Sequence, residues 1–236
     1  MWSGPRNIST ALMRSFGNRA DTFVSDEPLY AYYLAETGLA HPGRAEILRL
    51  CETDQQLIGA YLAGPIPGGK PLWYQKHMAH HLLPGVGRSW LSALEHAFLI
   101  REPAAMLLSL DKVTRNPRLE DTGLPQQRAL LEEVSARTGR CPPVVDARDV
   151  LEEPEGMLRK LCGALDLAFE PGMLAWPAGR RATDGVWAPH WYASVEASTG
   201  FEPYRPREEE LPARLSDVHA RCLAPYQALY ELRITP

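Results

Sequence analysis

Gly4-Pro5-Arg6-Asn7-Ile8-Ser9-Thr10 is the stretch on which the reading of this chain turns. Met1-Trp2-Ser3 precede it, and a run follows in which Ala11, Leu12, Met13 and Phe16 recur at helical spacing as far as Arg19. The order is a short strand, a tight loop and a helix with Ser9 or Thr10 available as N-cap. The first N–H groups of a helix have no intrahelical partner and carry partial positive charge, so a loop wrapped there suits a phosphate or sulfate. Gly4 permits the turn, Arg6 adds a full charge on a planar fork, and the hydroxyls of Ser9 and Thr10 donate to further oxygens. A plainer reading stands beside this one: Ser9 only caps the helix and Arg6 is a solvated loop residue. A phosphate loop ordinarily follows a strand of about five residues. Only Met1 to Ser3 precede Gly4, so the first strand is short or the chain begins inside it.

Downstream, Thr22-Phe23-Val24-Ser25 reads as a second strand, and Pro28 to Glu36 as a helix with proline in its first turn. A longer helix is expected from Arg44 to Leu62. The turn cluster Pro65-Ile66-Pro67-Gly68-Gly69-Lys70-Pro71 leads into a strand, Leu72-Trp73-Tyr74-Gln75, that delivers Lys76 and His77 to its C-terminal end. Ala97-Phe98-Leu99-Ile100 has the continuous apolar character of a buried strand, and Arg101 and a helix opened by Pro103 follow it. Val144-Val145-Asp146 is a further strand ahead of a helix around Glu155 to Leu167, and an amphipathic helix is expected from Arg205 to Leu232. Strands alternating with helices predict an α/β fold, a mostly parallel sheet with helices on both faces. Ligands of such folds sit beyond the carboxyl ends of the strands, where the loop, Lys76 and Arg101 all fall.

No repeat, linker or low-complexity tract divides the 236 residues, so a single domain, 1–236, is expected. A net charge of −4 offers no global attraction to nucleic acid, and any anion site must be local. No apolar run approaches the ~20 residues of a membrane helix. The start lacks the basic segment, apolar run and cleavage site of a signal peptide, and a cytoplasmic protein is expected. Cys51, Cys141, Cys162 and Cys222 form no CxxC pair, which favours reduced thiols over a zinc site or disulfides.

The kinase-type loop GxxxxGK[ST] needs a Gly-Lys pair absent here, which demotes ATP chemistry. Pro5-Arg6-Asn7-Ile8-Ser9-Thr10 instead resembles the 5′-phosphosulfate loop, Pro-Lys-Ser-Gly-Thr-Thr, of sulfotransferases that use 3′-phosphoadenosine-5′-phosphosulfate. Arg6 stands at the lysine and Ile8 at the glycine. Phe98-Leu99-Ile100-Arg101-Glu102-Pro103 through Ser109 resembles that family's 3′-phosphate segment: strand, arginine, proline-started helix, and a serine eight residues after the arginine. Arg180-Arg181-Ala182-Thr183-Asp184-Gly185-Val186-Trp187 follows the spacing of the family's RKGxxGDW loop, departing at Ala182 and Val186. The three matches occur in the family's order. The Trp-Ser-Gly-Pro-Arg-Asn start, Ser-Asp-Glu-Pro-Leu-Tyr and the late Asp-Gly-Val-Trp-Ala-Pro-His-Trp-Tyr stretch resemble a subgroup of small sulfotransferase-like proteins.

The resemblance implies a P-loop-like sulfotransferase fold, with that nucleotide as co-substrate, a hydroxyl or amine of a small molecule as acceptor, and no metal. On it, Pro5, Arg6, Asn7, Ser9, Thr10, Arg101, Ser109, Arg180 and Arg181 hold the nucleotide. Taken residue by residue, Arg101 also reads as a strand-end cap, Ser109 as a solvent-facing helix residue and Arg180-Arg181 as a surface pair. Sulfuryl transfer asks for in-line placement, cations on the non-bridging oxygens and a base for the acceptor's proton. Arg6 and Lys76 are the candidate cations. Glu27, immediately after the second strand where some sulfotransferase groups place a catalytic glutamate, is the first candidate base, with His77 second and His81 third. The family's Lys-Thr-His register puts Met78, not a histidine, at the third position. His77 and His81 are i and i+4, one face of a helix, but no HExxH glutamate lies between them and no metal is expected. The aromatics Trp187, Trp191 and Tyr192 read as an acceptor-pocket wall or as packed core. Two competing classes stay open: a phosphotransferase of P-loop architecture, and a non-catalytic nucleotide-binding protein, for which Ile8, Ala182 and Val186 speak.

Overall fold

The computed structural model of the chain describes residues 1–206 and 208–236. Five strands and eleven α-helices lie among these residues. The strands are β1 (Trp2–Ser3), β2 (Thr22–Asp26), β3 (Leu72–Met78), β4 (Phe98–Ile100) and β5 (Val144–Asp146). The helices begin with α1 (Ser9–Gly17), α2 (Tyr30–Thr37), α3 (Arg44–Leu50), α4 (Gln55–Leu62), α5 (Pro103–Leu110) and α6 (Leu124–Thr138). They continue with α7 (Ala147–Glu152), α8 (Pro154–Ala164), α9 (Ala188–Trp191), α10 (Ala193–Ala197) and α11 (Ser216–Tyr230). The strand pairs described below all run parallel, and helices separate most successive strands, so the fold class is the α/β one expected. The chain packs as two compact units.

The first unit comprises Met1–Ser9, Glu95–Phe169 and Glu202–Pro236. Its strands pair with Trp2 opposite Phe98, and with Phe98 in turn opposite Val144. Phe98, Leu99, Ile100, Val144 and Val145 are wholly buried, which is why this strand pattern is continuously apolar rather than alternating. Pro103 opens α5, where its missing N–H costs nothing, and both carboxylate oxygens of Glu102 accept from the exposed N–H groups of Ala104 and Ala105. The C-terminal helix is shorter than expected, beginning at Ser216 rather than Arg205. Pro203, Pro206 and Pro212 fix φ and remove backbone donors before it, and Arg207 lies outside the described residues.

Asp146, buried at the end of β5, caps α7 by accepting from Arg148 N at 2.7 Å and accepts from the Tyr226 hydroxyl at 3.0 Å. Burial pushes its carboxyl up from 3.8 to about 6 despite these bonds. The folded state therefore holds this proton more tightly than the unfolded chain. The stabilisation is complete below about pH 3.8 and is lost as pH rises through about 6. Asp146→Asn keeps the cap acceptor. It is expected to raise stability at pH 7.5 by up to about 3 kcal/mol and to change it little at pH 4. Urea unfolding at both pH values checks this, and an equal effect at the two contradicts it.

The second unit comprises Thr10–Leu94 and Glu170–Phe201. In it β2 and β3 pair from Thr22 opposite Leu72 to Asp26 opposite Lys76. β3 runs on to Met78, so Lys76 and His77 lie inside the strand rather than beyond it. The single helix expected from Arg44 to Leu62 is two. Asp54 adopts extended backbone and its carboxylate accepts from Gln56 N and Leu57 N, restarting the helix as α4. Glu52 Oε1 accepts from Thr53 N and Asp54 N, both at 2.8 Å, and so satisfies the backbone of the break.

Candidate functional site

In the first unit the N-terminal loop is held from several sides. A Cβ at Gly4 would meet the Thr122 carbonyl oxygen at 2.2 Å, so only glycine fits that approach. Asn7 Nδ2 donates to the Leu99 carbonyl at 3.3 Å, and the buried Gln127 amide, oriented to satisfy both groups, bridges Gly4 N and Leu99 O at 3.0 Å each. Arg6 and Ile8 take φ of 61° and 56°. The left-handed region is strained for a β-branched side chain, at a cost of roughly 1–3 kcal/mol. Ile8 thus adopts backbone that the glycine of the resembling loop would reach without strain.

Two of the three sequence motifs meet here. Arg6 Nε donates to Ser109 Oγ at 2.9 Å, and Arg101 Nη1 donates to the Arg6 carbonyl at 2.6 Å. Ser109 is buried, which removes its reading as a solvent-facing helix residue. Two guanidinium groups and a hydroxyl are gathered at the loop that enters α1. Ser9, the first residue of α1, is buried, and Pro5 and Thr10 are half-buried.

The second unit holds a buried acid–base cluster. Lys76 is 1% exposed, and its ammonium donates to Asp26 Oδ1 at 2.9 Å, to the Tyr192 hydroxyl at 2.8 Å and to Glu27 Oε1. Asp26 and Lys76 meet because they are cross-strand neighbours on β2 and β3. The Tyr192 hydroxyl in turn donates to Asp26, and Gly185 N donates to Asp26 Oδ2 at 3.0 Å. Glu27 holds φ at 42° at the end of β2, and its N–H bonds the Lys76 carbonyl at 2.9 Å.

Burial raises the Glu27 carboxyl above its ordinary range, with the Asp26 charge adding to the effect and Lys76 opposing it. Burial alone would depress Lys76, but Asp26, Glu27 and Tyr192 together lift it well above its usual value. One ammonium thus faces two carboxylates.

His81 is buried with Nδ1 3.9 Å from Glu27 Oε2, and it stacks on Tyr30 and Tyr33 at centroid distances of 4.8 and 4.6 Å. Burial, with His80 and Lys76 beside it, holds this imidazole well below its usual range, so it is neutral. His77 points elsewhere: its Nε2 lies 3.2 Å from Gln75 Oε1 and its ring 5.9 Å from Trp90. Because His77 is on β3 and His81 in a 3₁₀ turn, the i, i+4 helical face supposed for them does not form. Among the described residues no group of three or more His, Cys, Asp or Glu is placed to hold a metal ion.

Arg180 and Arg181 also lie in the second unit. Arg180 Nε stands 3.8 Å from Glu196, Arg181 Nη2 donates to the Pro177 carbonyl, and Arg181 N donates to Asp184. Asp184 is held by a bidentate pair with the buried Arg14. The sequence gives no signal for Arg14, whereas Asp26, Asp184 and Tyr192 lie in segments it singles out, Tyr192 as acceptor-pocket wall or packed core, without showing the partners they find here. A pocket of about 390 Å³ opens beside Glu27, with Ala31, Ile58 and Trp187 among its walls.

Parallel α/β pairing and a cationic loop entering a helix define the P-loop-like α/β class. The chain belongs to the sulfotransferase domain family, whose sequence model matches residues 1–231. It is 38% identical over 229 residues, 97% of its length, to the Arabidopsis thaliana protein described as branched-chain-amino-acid aminotransferase-like protein 1. It is 35% identical over the same share to the similarly described protein 2. The chain spans 40% of the length of each of these relatives. A solved sulfotransferase from Alicyclobacillus acidocaldarius shares its fold, with a TM-score of 0.58 at 14% identity, over 99% of this chain and 95% of that one. Among the described residues no helix is long and apolar enough to cross a membrane.

Proposed function

We propose that residues 1–236 act as one sulfotransferase domain that moves the sulfuryl group of 3′-phosphoadenosine-5′-phosphosulfate to a hydroxyl or amine of a small molecule. The observation that carries this reading is the joining of Arg6, Ser109 and Arg101 by the bonds described above, since these residues come from the two motifs that resemble nucleotide-phosphate segments. The chemistry fits: arginine forks, a hydroxyl and helix N–H groups are what a phosphate or sulfate binds. In this reading Pro5, Asn7, Ser9 and Thr10 shape the loop, and Arg180 and Arg181 supply further cations.

The donor supplies an activated sulfur whose bond to the nucleotide phosphate breaks as the bond to the acceptor oxygen or nitrogen forms. Glu27 takes the acceptor's proton, and its raised proton affinity suits that task. Lys76 holds Glu27 in place and keeps it from capturing a proton too strongly. The order expected of the histidines is reversed in this reading: His81, 3.9 Å from Glu27, stands second as base, and His77, which faces Gln75, third. The aminotransferase-like names belong to relatives more than twice as long as this chain, whose own sequence carries the sulfotransferase match.

The test is a thermal-shift comparison of 3′,5′-adenosine bisphosphate with AMP, because a ligand of the native state alone raises stability by mass action. A shift with the bisphosphate and none with AMP is expected, and Arg6→Ala is expected to weaken that binding about 10- to 100-fold. Equal shifts with the two nucleotides would sink the donor assignment, and binding of magnesium ATP alone would favour a phosphotransferase.

A further inference from the structure

We propose, resting on Glu27 as the base, that the pocket beside it takes an acceptor with an apolar body and a positively charged end, and that Glu52 recognises that charge. At about 390 Å³ the pocket is near the lower end of small-ligand sites. Leu57 and Tyr61, which line it, stand four residues apart on one face of α4 and are 57% and 49% exposed. They form an apolar wall together with Ile58 and Trp187.

The charged side chains on the lining are all carboxylates: Asp26, Glu27 and Glu52, with no Lys or Arg among the described residues that line it. Both Asp26 oxygens are occupied by Lys76, Tyr192 and Gly185, and Lys76 balances only one of the Asp26–Glu27 pair. Glu52 stands in the break between α3 and α4, fixed through Oε1 by Thr53 N and Asp54 N. An acceptor carboxylate or phosphate would meet a wall of like charge, and such juxtaposition disfavours a ligand. An ammonium would be attracted, and the rings of Tyr61 and Trp187 add to its binding.

Three phenols of matched size separate these possibilities by calorimetric titration of the intact chain: tyramine, 4-ethylphenol and 3-(4-hydroxyphenyl)propionate. Tyramine is expected to bind tightest and the propionate at least about 10-fold more weakly. Glu52→Gln, which keeps the acceptor for Thr53 and Asp54, should narrow the spread, and Glu52→Lys should reverse the order. Equal binding of tyramine and the propionate, an unchanged order in a folded Glu52→Lys variant, or no binding of any phenol overturns the proposal. Adding the phosphosulfate donor keeps the two readings apart. The charge order without transfer leaves the pocket inference standing and removes the sulfotransfer reading, whereas transfer without the charge order removes the pocket inference alone.

Discussion

Glu27→Gln is expected to lower sulfuryl transfer by about 10²- to 10⁴-fold, the range that a positioned general base contributes. Glutamine keeps the size of the side chain and an oxygen that can accept from Lys76, while Asp26 continues to hold that ammonium, so the fold and donor binding should survive. The pH profile gives the sign. Burial raises the Glu27 carboxyl, so the wild-type rate should climb with pH through a limb above the ordinary carboxylate range as Glu27 loses its proton. The variant should lack that limb. Steady-state rates from pH 5 to 8 on both proteins decide the matter. A glutamine variant with full activity, or with the same limb, would assign the base elsewhere, and His81 is next in line.

Lys76→Met is expected to cost about 3–5 kcal/mol of stability, because it leaves two buried carboxylates without their counter-charge. For a chain of this size that is a fall of roughly 6–20 °C in Tm. Glu27→Gln added to Lys76→Met should recover part of the loss, since one buried charge fewer then lacks a partner. Lowering the pH should recover it too, by protonating the orphaned carboxylates. Thermal unfolding of the single and double variants at pH 5 and 7.5 measures both effects. A loss under 1 kcal/mol would mean that water or a neighbouring group replaces Lys76.

Which segments form strands and helices was legible because those choices are local. Phe98-Leu99-Ile100 announces a buried strand by its continuous apolar run, and Glu102-Pro103 announces the start of α5 by one acceptor and one missing donor. The break at Cys51 to Asp54 falls where apolar periodicity lapses, in the polar run Glu52 to Gln56, and the Asp54 cap restarts the helix there. The C-terminal helix begins later than its amphipathic pattern implies because Pro203, Pro206 and Pro212 override that pattern.

The site divides along the same line. Sequence alone determined a loop entering a helix, an arginine at a strand end and a carboxylate beside a strand, because each depends on neighbours a few residues away. Tertiary structure decided what those groups touch. Arg6 reaches Ser109 across 103 positions, and Lys76 reaches Tyr192 across 116. Lys76, read from sequence as a cation for sulfate, is paired with Asp26 and Glu27 because parallel strands set it opposite Asp26. A buried charge takes its function from the partners that compensate it, and only the folded chain brings those partners together.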